Sequence, residues 1–321
     1  MREVRARRVA VIGGGANDEH EVSLASAAAV TRAVEANGMD VVALTIDRSG
    51  RWHHGDGGPL PSAEAVALVV SCDVAFPVLH GVNGEDGAAA GLLTMIGVPF
   101  VGSPVRAGAI GMDKWVTKLV AQAVRVRTTP GVLVRSAADA SSMDAVPPFV
   151  VKPTSGGSSN GVTVVRHPGE LAAAIELACG SGDTALVESF VTGREVDIAL
   201  FRDRAGVLRA GAALEIGVAD GGVFDREQKY DGTASFTVPA RLCPDEHAGV
   251  ESAARALYDA LGCAGVARFD FFVTETGVVL NEVNTTPGFT EQSQVPLMYA
   301  ATGLGYEGLV RELIDAAEPA A

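Results

Sequence analysis

This chain is short of aromatic residues, of positive charge, of cysteine and of long hydrophobic runs, and each shortage excludes something. Aromatics make up 5% and charged residues 20%, yet hydrophobic residues reach 48%, so the composition is that of a globular interior and not of a disordered chain. The 25 Lys+Arg against 39 Asp+Glu leave a net charge of −14. That field opposes a general role on phosphate backbones or anionic lipid, so neither nucleic acid nor a membrane surface is an expected partner. A small anionic ligand is a different matter, because a few lysines converging on one pocket outweigh a distributed negative surface locally. Cys72, Cys179, Cys243 and Cys263 stand far apart without CxxC spacing, which argues against a zinc site or a disulfide framework and for reduced thiols. No run approaches the roughly 18 apolar residues that span a bilayer. The apolar stretch 9–12 near the start is shorter than a signal-peptide core. A cytoplasmic protein is expected.

What is present is an alternation of strand-like and helix-like segments. At about 150 residues per domain, 321 residues correspond to about two domains or three small lobes. Strand-like runs at 8–12, 41–46 and 74–79, with helical composition at 23–37 and 87–96, favour an open parallel sheet in a first α/β lobe ending near residue 103. A helix at 114–123, strands at 149–152, 162–166 and 185–190, and a helix at 169–179 form an α+β unit. The remainder reads as strand pairs at 195–201 with 207–215 and at 266–284, with helices at 246–261 and 306–317. The resulting lobes are 1–103, 104–187 and 188–321.

Several segments carry chemistry. Gly13-Gly14-Gly15 after a strand invites a dinucleotide reading, but GxGxxG spacing requires glycine where Asp18 stands. What remains is a glycine turn opening a helix, with Asp18, Glu19, His20, Glu21 and Ser23 near its N-terminus. Helix capping accounts for such residues, and so does a carboxylate placed to hold a substrate ammonium. His80-Gly-Val-Asn-Gly-Glu85-Asp86-Gly87 lies between a strand and a helix, where an α/β sheet presents ligands. In the segment 149–162 Lys152 precedes a Gly/Ser loop that is followed by a strand, which excludes a Walker A loop. Two strands joined by such a loop can fold over a triphosphate, with backbone N–H and hydroxyl donors at the oxygens and Lys152 supplying charge. A plain hairpin tip would not require a lysine inside an apolar strand. The segment 188–195 ends one strand and begins another, a hinge whose backbone can read an adenine edge while Glu195 takes ribose hydroxyls.

The strongest constellation is Arg268-Phe-Asp270 followed by Glu282-Val-Asn284. A three-residue loop Glu275-Thr276-Gly277, with glycine at positive φ, puts Thr274 opposite Val278. Asp270 then faces Glu282, and Arg268 faces Asn284, all on one side of the ribbon, while Phe269 and Phe271 point to the other. Two carboxylates opposed within about 5 Å repel unless a cation lies between them. Asp270, Glu282 and Asn284 offer three oxygen ligands of the kind that suits Mg²⁺. Lys114 and Lys229-Tyr230 would be ordinary solvated residues unless they converge with Lys152.

Taken in chain order, Glu21-Val-Ser23, the HGxxGEDG run 80–87, Met112-Asp-Lys114, Val151-Lys-Pro153 with Gly157-Ser-Ser159, Lys229-Tyr230, Arg268-Phe-Asp270 and Asn281-Glu-Val-Asn-Thr-Thr-Pro-Gly288 resemble the D-alanyl-D-alanine ligases of the ATP-grasp superfamily. The resemblance spans about residues 9–315. It implies a three-lobed ATP-grasp fold, an N-terminal open parallel sheet lobe, and ATP clasped between the other two lobes. Lys114, Lys152, Lys229 and Arg268 match phosphate ligands, as do Ser158 and Ser159 of the Gly/Ser loop. Asp270, Glu282 and Asn284 match a site for two Mg²⁺, with Mn²⁺ as a substitute, and Asn281 lies beside it. Glu188 with Ser189 to Val191 would hold adenine, and Glu195 ribose. Glu21 resembles the residue binding the first D-alanine's ammonium, joined to Ser158 and Tyr230 in a triad that closes the loop 221–235. His80, Glu85, Gly288 and Ser293 fall at the substrate, Ser293 receiving the second D-alanine's carboxylate.

The implied reaction is ATP-dependent joining of two D-alanines through an acyl phosphate, for peptidoglycan, by a homodimer. Two departures, Phe224 where tyrosine is common and Gln294 where leucine is frequent, fall near the substrate. They leave a second acceptor open, another D-amino acid or a D-hydroxy acid, as in secondary metabolism; the retained Lys229-Tyr230 pair favours an amine. A nucleotide sensor without chemistry would have no reason to keep every cation and carboxylate of this set.

Overall fold

The computed structural model describes residues 6–55, 57–142, 146–157, 159–180, 184–217 and 235–317. The first unit runs β1 (Arg8–Gly14), α1 (His20–Ala36), β2 (Asp40–Ile46), β3 (Trp52–His54), β4 (Pro59–Leu60), α2 (Ser62–Val70), β5 (Val74–Pro77) and α3 (Ala88–Met95). Its sheet order is β4-β3-β2-β1-β5. β1 is parallel to β2 and β5, as the alternating pattern predicts, whereas β3 and β4 add an antiparallel edge. Those two strands are too short to display a period of two, so the sequence offers no sign of them. Parallel strands bury both faces: Val9 and Val11 of β1 join one core, Ala10 and Ile12 another.

Two helices follow, α4 (Val105–Met112) and α5 (Lys114–Ala123). Then come β6 (Gly131–Val134), β7 (Phe149–Pro153), β8 (Thr163–Val165), α6 (Leu171–Cys179) and β9 (Ala185–Ser189), forming a sheet in the order β6-β9-β7-β8. The last unit contains β10 (Arg194–Arg202), β11 (Leu208–Ala210), β12 (Leu214–Gly217), β13 (Ser235–Thr237), α7 (Pro244–Leu261), β14 (Val266–Thr274), β15 (Gly277–Asn284), α8 (Gln294–Ala300) and α9 (Tyr306–Ala316). Its sheet order is β13-β12-β10-β14-β15, with β11 also beside β10. α4 and α5 pack on β15 and α7, so these helices share the core of the C-terminal sheet and not that of the sheet next in sequence.

The β14–β15 ribbon fixes the chemistry. Its turn is tighter than the predicted three-residue loop: Thr274 pairs with Gly277, whose φ is 113°. A bulge between Asp270 and Phe271 then shifts the register, so that Asp270 still faces Glu282 and Arg268 still faces Asn284. The expected pairing is reached by a different route. The extra residue is Asn281, and a bulge re-aims side chains; Asn281 and its neighbour Glu282 consequently both line the same cleft. Phe269 and Phe271 are buried on the opposite side against Leu257 and Leu261 of α7.

At the end of β1, Gly14 adopts φ 88°, and a Cβ there would stand 2.2 Å from the Ile46 carbonyl oxygen. A left-handed backbone costs a non-glycine residue about 1–2 kcal/mol, and here a backbone collision adds to it. Gly38, at φ 73°, has open space around it. Gly14→Ala is therefore expected to lower the thermal midpoint well beyond Gly38→Ala; equal shifts in the two variants would refute the close-approach argument.

Candidate active site

A cleft of about 430 Å³ opens between the two C-terminal sheets, a size suited to a small-molecule ligand. Lys114, Lys152, Ser159, Glu188, Ser189, Val191, Glu195, Arg268, Asp270, Asn281 and Glu282 line it. All eleven were singled out from the sequence. Lys114 is the first residue of α5, which is capped by the Asp113 carboxylate accepting from the Val116 N–H at 2.9 Å. Its own N–H donates to the Thr154 carbonyl at 2.9 Å, and Nζ donates to the Gly156 carbonyl at 2.7 Å, 3.6 Å from Glu282. Lys152 reaches across from β7, its Nζ 2.8 Å from Glu188 Oε2 and 3.2 Å from Asn281 Oδ1.

One buried cation behind this cleft was not anticipated. Lys118 lies one helical turn beyond Lys114, is 3% exposed, and pairs with the other oxygen of Glu188, itself 4% exposed. The i, i+4 spacing that puts two residues on one helix face was its available signal. Burial works against the Glu188 charge, but the Lys152 and Lys118 ammoniums override it and hold the carboxyl below its usual range. Burial pulls Lys118 below the usual lysine range in turn.

Arg268 and Asp270 form a bidentate pair, Nε to Oδ1 and Nη2 to Oδ2, both at 2.7 Å. Burial opposes the guanidinium charge, yet the Asp270 carboxylate more than compensates, and Arg268 is held above its ordinary range. Among the described residues no group of three or more His, Cys, Asp or Glu side chains surrounds a cation position. The donor chemistry still fits a hard divalent cation. Asp270, Glu282 and the Asn284 amide oxygen come from adjacent strands on one face, a partial oxygen set that Mg²⁺ completes with phosphate and water. Asn284 Oδ1 meanwhile accepts from the Thr286 N–H at 3.1 Å.

Beside this cleft lies a second polar group. Burial pushes the His80 ring below its usual range. Its Nδ1–H donates to the Thr286 carbonyl at 2.7 Å, while Nε2 accepts from the Ser26 hydroxyl at 3.1 Å. Glu85, 3.9 Å from His80, is pushed up to about 8, first by burial and then by the neighbouring Glu19 carboxylate. Glu19 is the carboxylate that faces this region: added Cβ atoms at Gly81 and Gly157 would meet its oxygens. The expectation for Glu21 is corrected here. Glu21 points to solvent, 73% exposed, and pairs with Arg48 at 3.0 Å. Residues two apart on a helix lie on nearly opposite sides, so only one of the two can reach inward.

Other expected substrate residues are engaged locally. The Ser293 hydroxyl accepts from the Thr290 N–H at 3.0 Å, with Gly288 beside it. The Gln294 amide donates to Asp197 at 3.0 Å and does not line the cleft. Ser158, Phe224, Lys229 and Tyr230 lie outside the described residues.

Residues 8–103 match the family model described as D-ala D-ala ligase N-terminus, and residues 122–315 the one described as D-ala D-ala ligase C-terminus. The chain belongs to the D-alanine–D-alanine ligase family. It is 38% identical to a protein named D-alanine--D-alanine ligase from Rhodococcus opacus, covering 97% of this chain and 96% of the relative. It is 36% identical to the ligase of that name from Mycolicibacterium smegmatis, covering 97% and 95%. Among solved structures it is similar to the VanG D-Ala:D-Ser ligase from Enterococcus faecalis, with TM-score 0.86, 32% identity, and 97% and 99% of the two chains covered. The D-alanine-D-alanine ligase from Coxiella burnetii follows at TM-score 0.82 and 27% identity, covering 97% and 93%. The ATP-grasp fold expected for this family is present.

Removing one member of a buried ion set typically costs about 3–5 kcal/mol. Glu188→Gln, which leaves two buried ammoniums facing each other, should therefore lower the thermal midpoint sharply, and Glu188→Gln with Lys118→Met should regain much of the loss. A double variant no more stable than the single one would refute charge compensation. Glu85 supplies a pH test. Between the ordinary 4.5 and about 8, the folded protein keeps a proton that the unfolded chain has lost, so stability falls as pH rises through that window. The slope from one such group is at most about 1.4 kcal/mol per pH unit. Glu85→Gln should flatten the stability curve across it; an unchanged slope would assign the proton elsewhere.

Proposed function

We propose that this chain is an ATP-dependent ligase that joins two D-alanines to give D-alanyl-D-alanine for peptidoglycan. The observation that carries the reading is the convergence of Lys114, Lys152 and Arg268 with Asp270 and Glu282 in one cleft of a D-alanine ligase family member. In this reading a carboxylate oxygen of the first D-alanine attacks the γ-phosphorus of ATP, releasing ADP and leaving an acyl phosphate. The amine of the second D-alanine then attacks the acyl carbon, and phosphate departs as the amide bond forms. Lys114, Lys152, Lys229 and Arg268 balance the charge spread over the transferred group. Asp270, Glu282 and Asn284 would hold magnesium, two ions in the family reading, whose charge lowers the cost of phosphoryl transfer.

Glu188, with the backbone at Ser189 and Val191, serves adenine, Glu195 serves ribose, and Ser159 and Asn281 complete the nucleotide side. Glu19, in place of Glu21, takes the first D-alanine's ammonium, with Ser158 and Tyr230 closing over it. His80, Glu85, Gly288 and Ser293 frame the substrates. The three lobes are assigned along the chain to 1–103, 104–187 and 188–321, with α4 and α5 of the second stretch packed on β15 and α7 of the third. A cytoplasmic homodimer accompanies the family reading; no helix among the described residues is long and apolar enough to cross a membrane.

Purified protein with ATP, Mg²⁺ and D-alanine should release phosphate and form the dipeptide, with L-alanine inert; D-serine belongs in the assay because a structural relative is named a D-Ala:D-Ser ligase. Lys152→Ala or Asp270→Ala should cut turnover at least about a hundredfold. Glu19→Gln should raise the KM for the first D-alanine, while Glu21→Gln stays near wild type. Phosphate release that ignores every D-amino acid would overturn the assignment.

A further inference from the structure

Asp270 is asked to do two incompatible things. As the proposed magnesium ligand it must offer its oxygens to a cation, yet both oxygens are bound by Arg268. Surrendering that guanidinium without another partner would leave a buried positive charge uncompensated. A second carboxylate is in position to receive it. Asp197 of β10 pairs directly with Asp270 of β14, which in turn pairs with Glu282 of β15, so the three acids form one cross-strand row. Cross-strand partners project from the same face of a sheet. Asp197 is 2% exposed, and its Oδ2 lies 3.6 Å from Arg268 Nε. Glu282, at the other end of the row, is 3.6 Å from Lys114.

Asp197 is itself held from outside the sheet. Gln294, the first residue of α8, donates its amide Nε2–H to the same Oδ2 at 3.0 Å. An apolar side chain at position 294 could not make this bond. The pair links α8, next to Ser293, to the charge row beneath the phosphate-binding cations.

We infer that Asp197, oriented by Gln294, is a positioning residue that receives the Arg268 guanidinium when a divalent cation takes Asp270. Arg268 then keeps a counter-charge while remaining in the cleft, and the cation does not have to bind against the full cost of an orphaned guanidinium. The inference rests on Asp270 being a cation ligand, as read above.

The test is Mn²⁺ titration of the full-length protein with saturating ADP, with free Mn²⁺ read by electron paramagnetic resonance. Asp197→Asn should weaken Mn²⁺ binding about tenfold, a fraction of the cost of leaving a buried charge fully unpaired. In an Arg268→Gln background, where Asp270 is already released, the same Asp197→Asn change should move the affinity less than about twofold. If Asp197→Asn does not fold, Gln294→Leu carries the test and should weaken Mn²⁺ binding about threefold. Wild-type affinity in the folded variant overturns the inference, and so does a tenfold loss that persists without Arg268, which would mark simple through-space charge. Asp270→Asn is the separate control: Mn²⁺ affinity unchanged by it would overturn the ligand reading of Asp270, and the inference with it.

Discussion

Charge compensation among buried side chains of one cleft is the constraint on which this molecule turns. Carboxylates on β10, β14 and β15 lie in one row, and their mutual repulsion is tolerable only because Arg268 and Lys114 stand against them. In the proposed reading, a triphosphate would add negative charge where the lysines converge, and a divalent cation would add positive charge where the acids align. Each ligand relieves the imbalance that the other would create. Such preorganised charge is the form in which a protein stabilises phosphoryl transfer, because no solvent needs to reorganise as the reaction proceeds.

The Lys118–Glu188–Lys152 set obeys the same logic one layer deeper. A single buried carboxylate between two ammoniums keeps Lys152 extended from β7 while Lys118 supplies the second counter-charge. If Lys152 takes phosphate as proposed, Lys118 still faces Glu188. The apolar layers make this possible by holding the strands rigid: Phe269 and Phe271 are anchored beneath the ribbon against α7, and the N-terminal sheet shares a core with Phe289, Tyr299 and α9. Through that shared core the His80 region of the first lobe meets the segment 285–289 of the last, with His80 bonded to Thr286 and Ser26 to Phe289.

Much of the site was legible because its chemistry is local in sequence. Lys152 inside an apolar strand, two acids separated by a short turn, and glycine-rich strand ends each need only a few residues to declare themselves. Other features were not. Glu19 and Glu21 stand two positions apart with identical side chains, and which of them faces inward depends on how α1 docks on the sheet. Lys118 and Asp197 read as ordinary charged residues until the packing buries them. The hairpin shows the distinction in miniature: its cross-strand pairs follow from a period of two, whereas no local pattern records the bulge that turns both Asn281 and Glu282 into the cleft.

The amino-acid sequence alone therefore determined the alternation of strands and helices, the family, and the inventory of cations and carboxylates, since these depend on side-chain type and short-range spacing. Tertiary structure alone decided which of those charges are buried, which oxygen each cation meets, and which of Glu19 and Glu21 faces inward. Burial and pairing are set by contacts between segments as distant as Gln294 and Asp197, and no local pattern records such contacts.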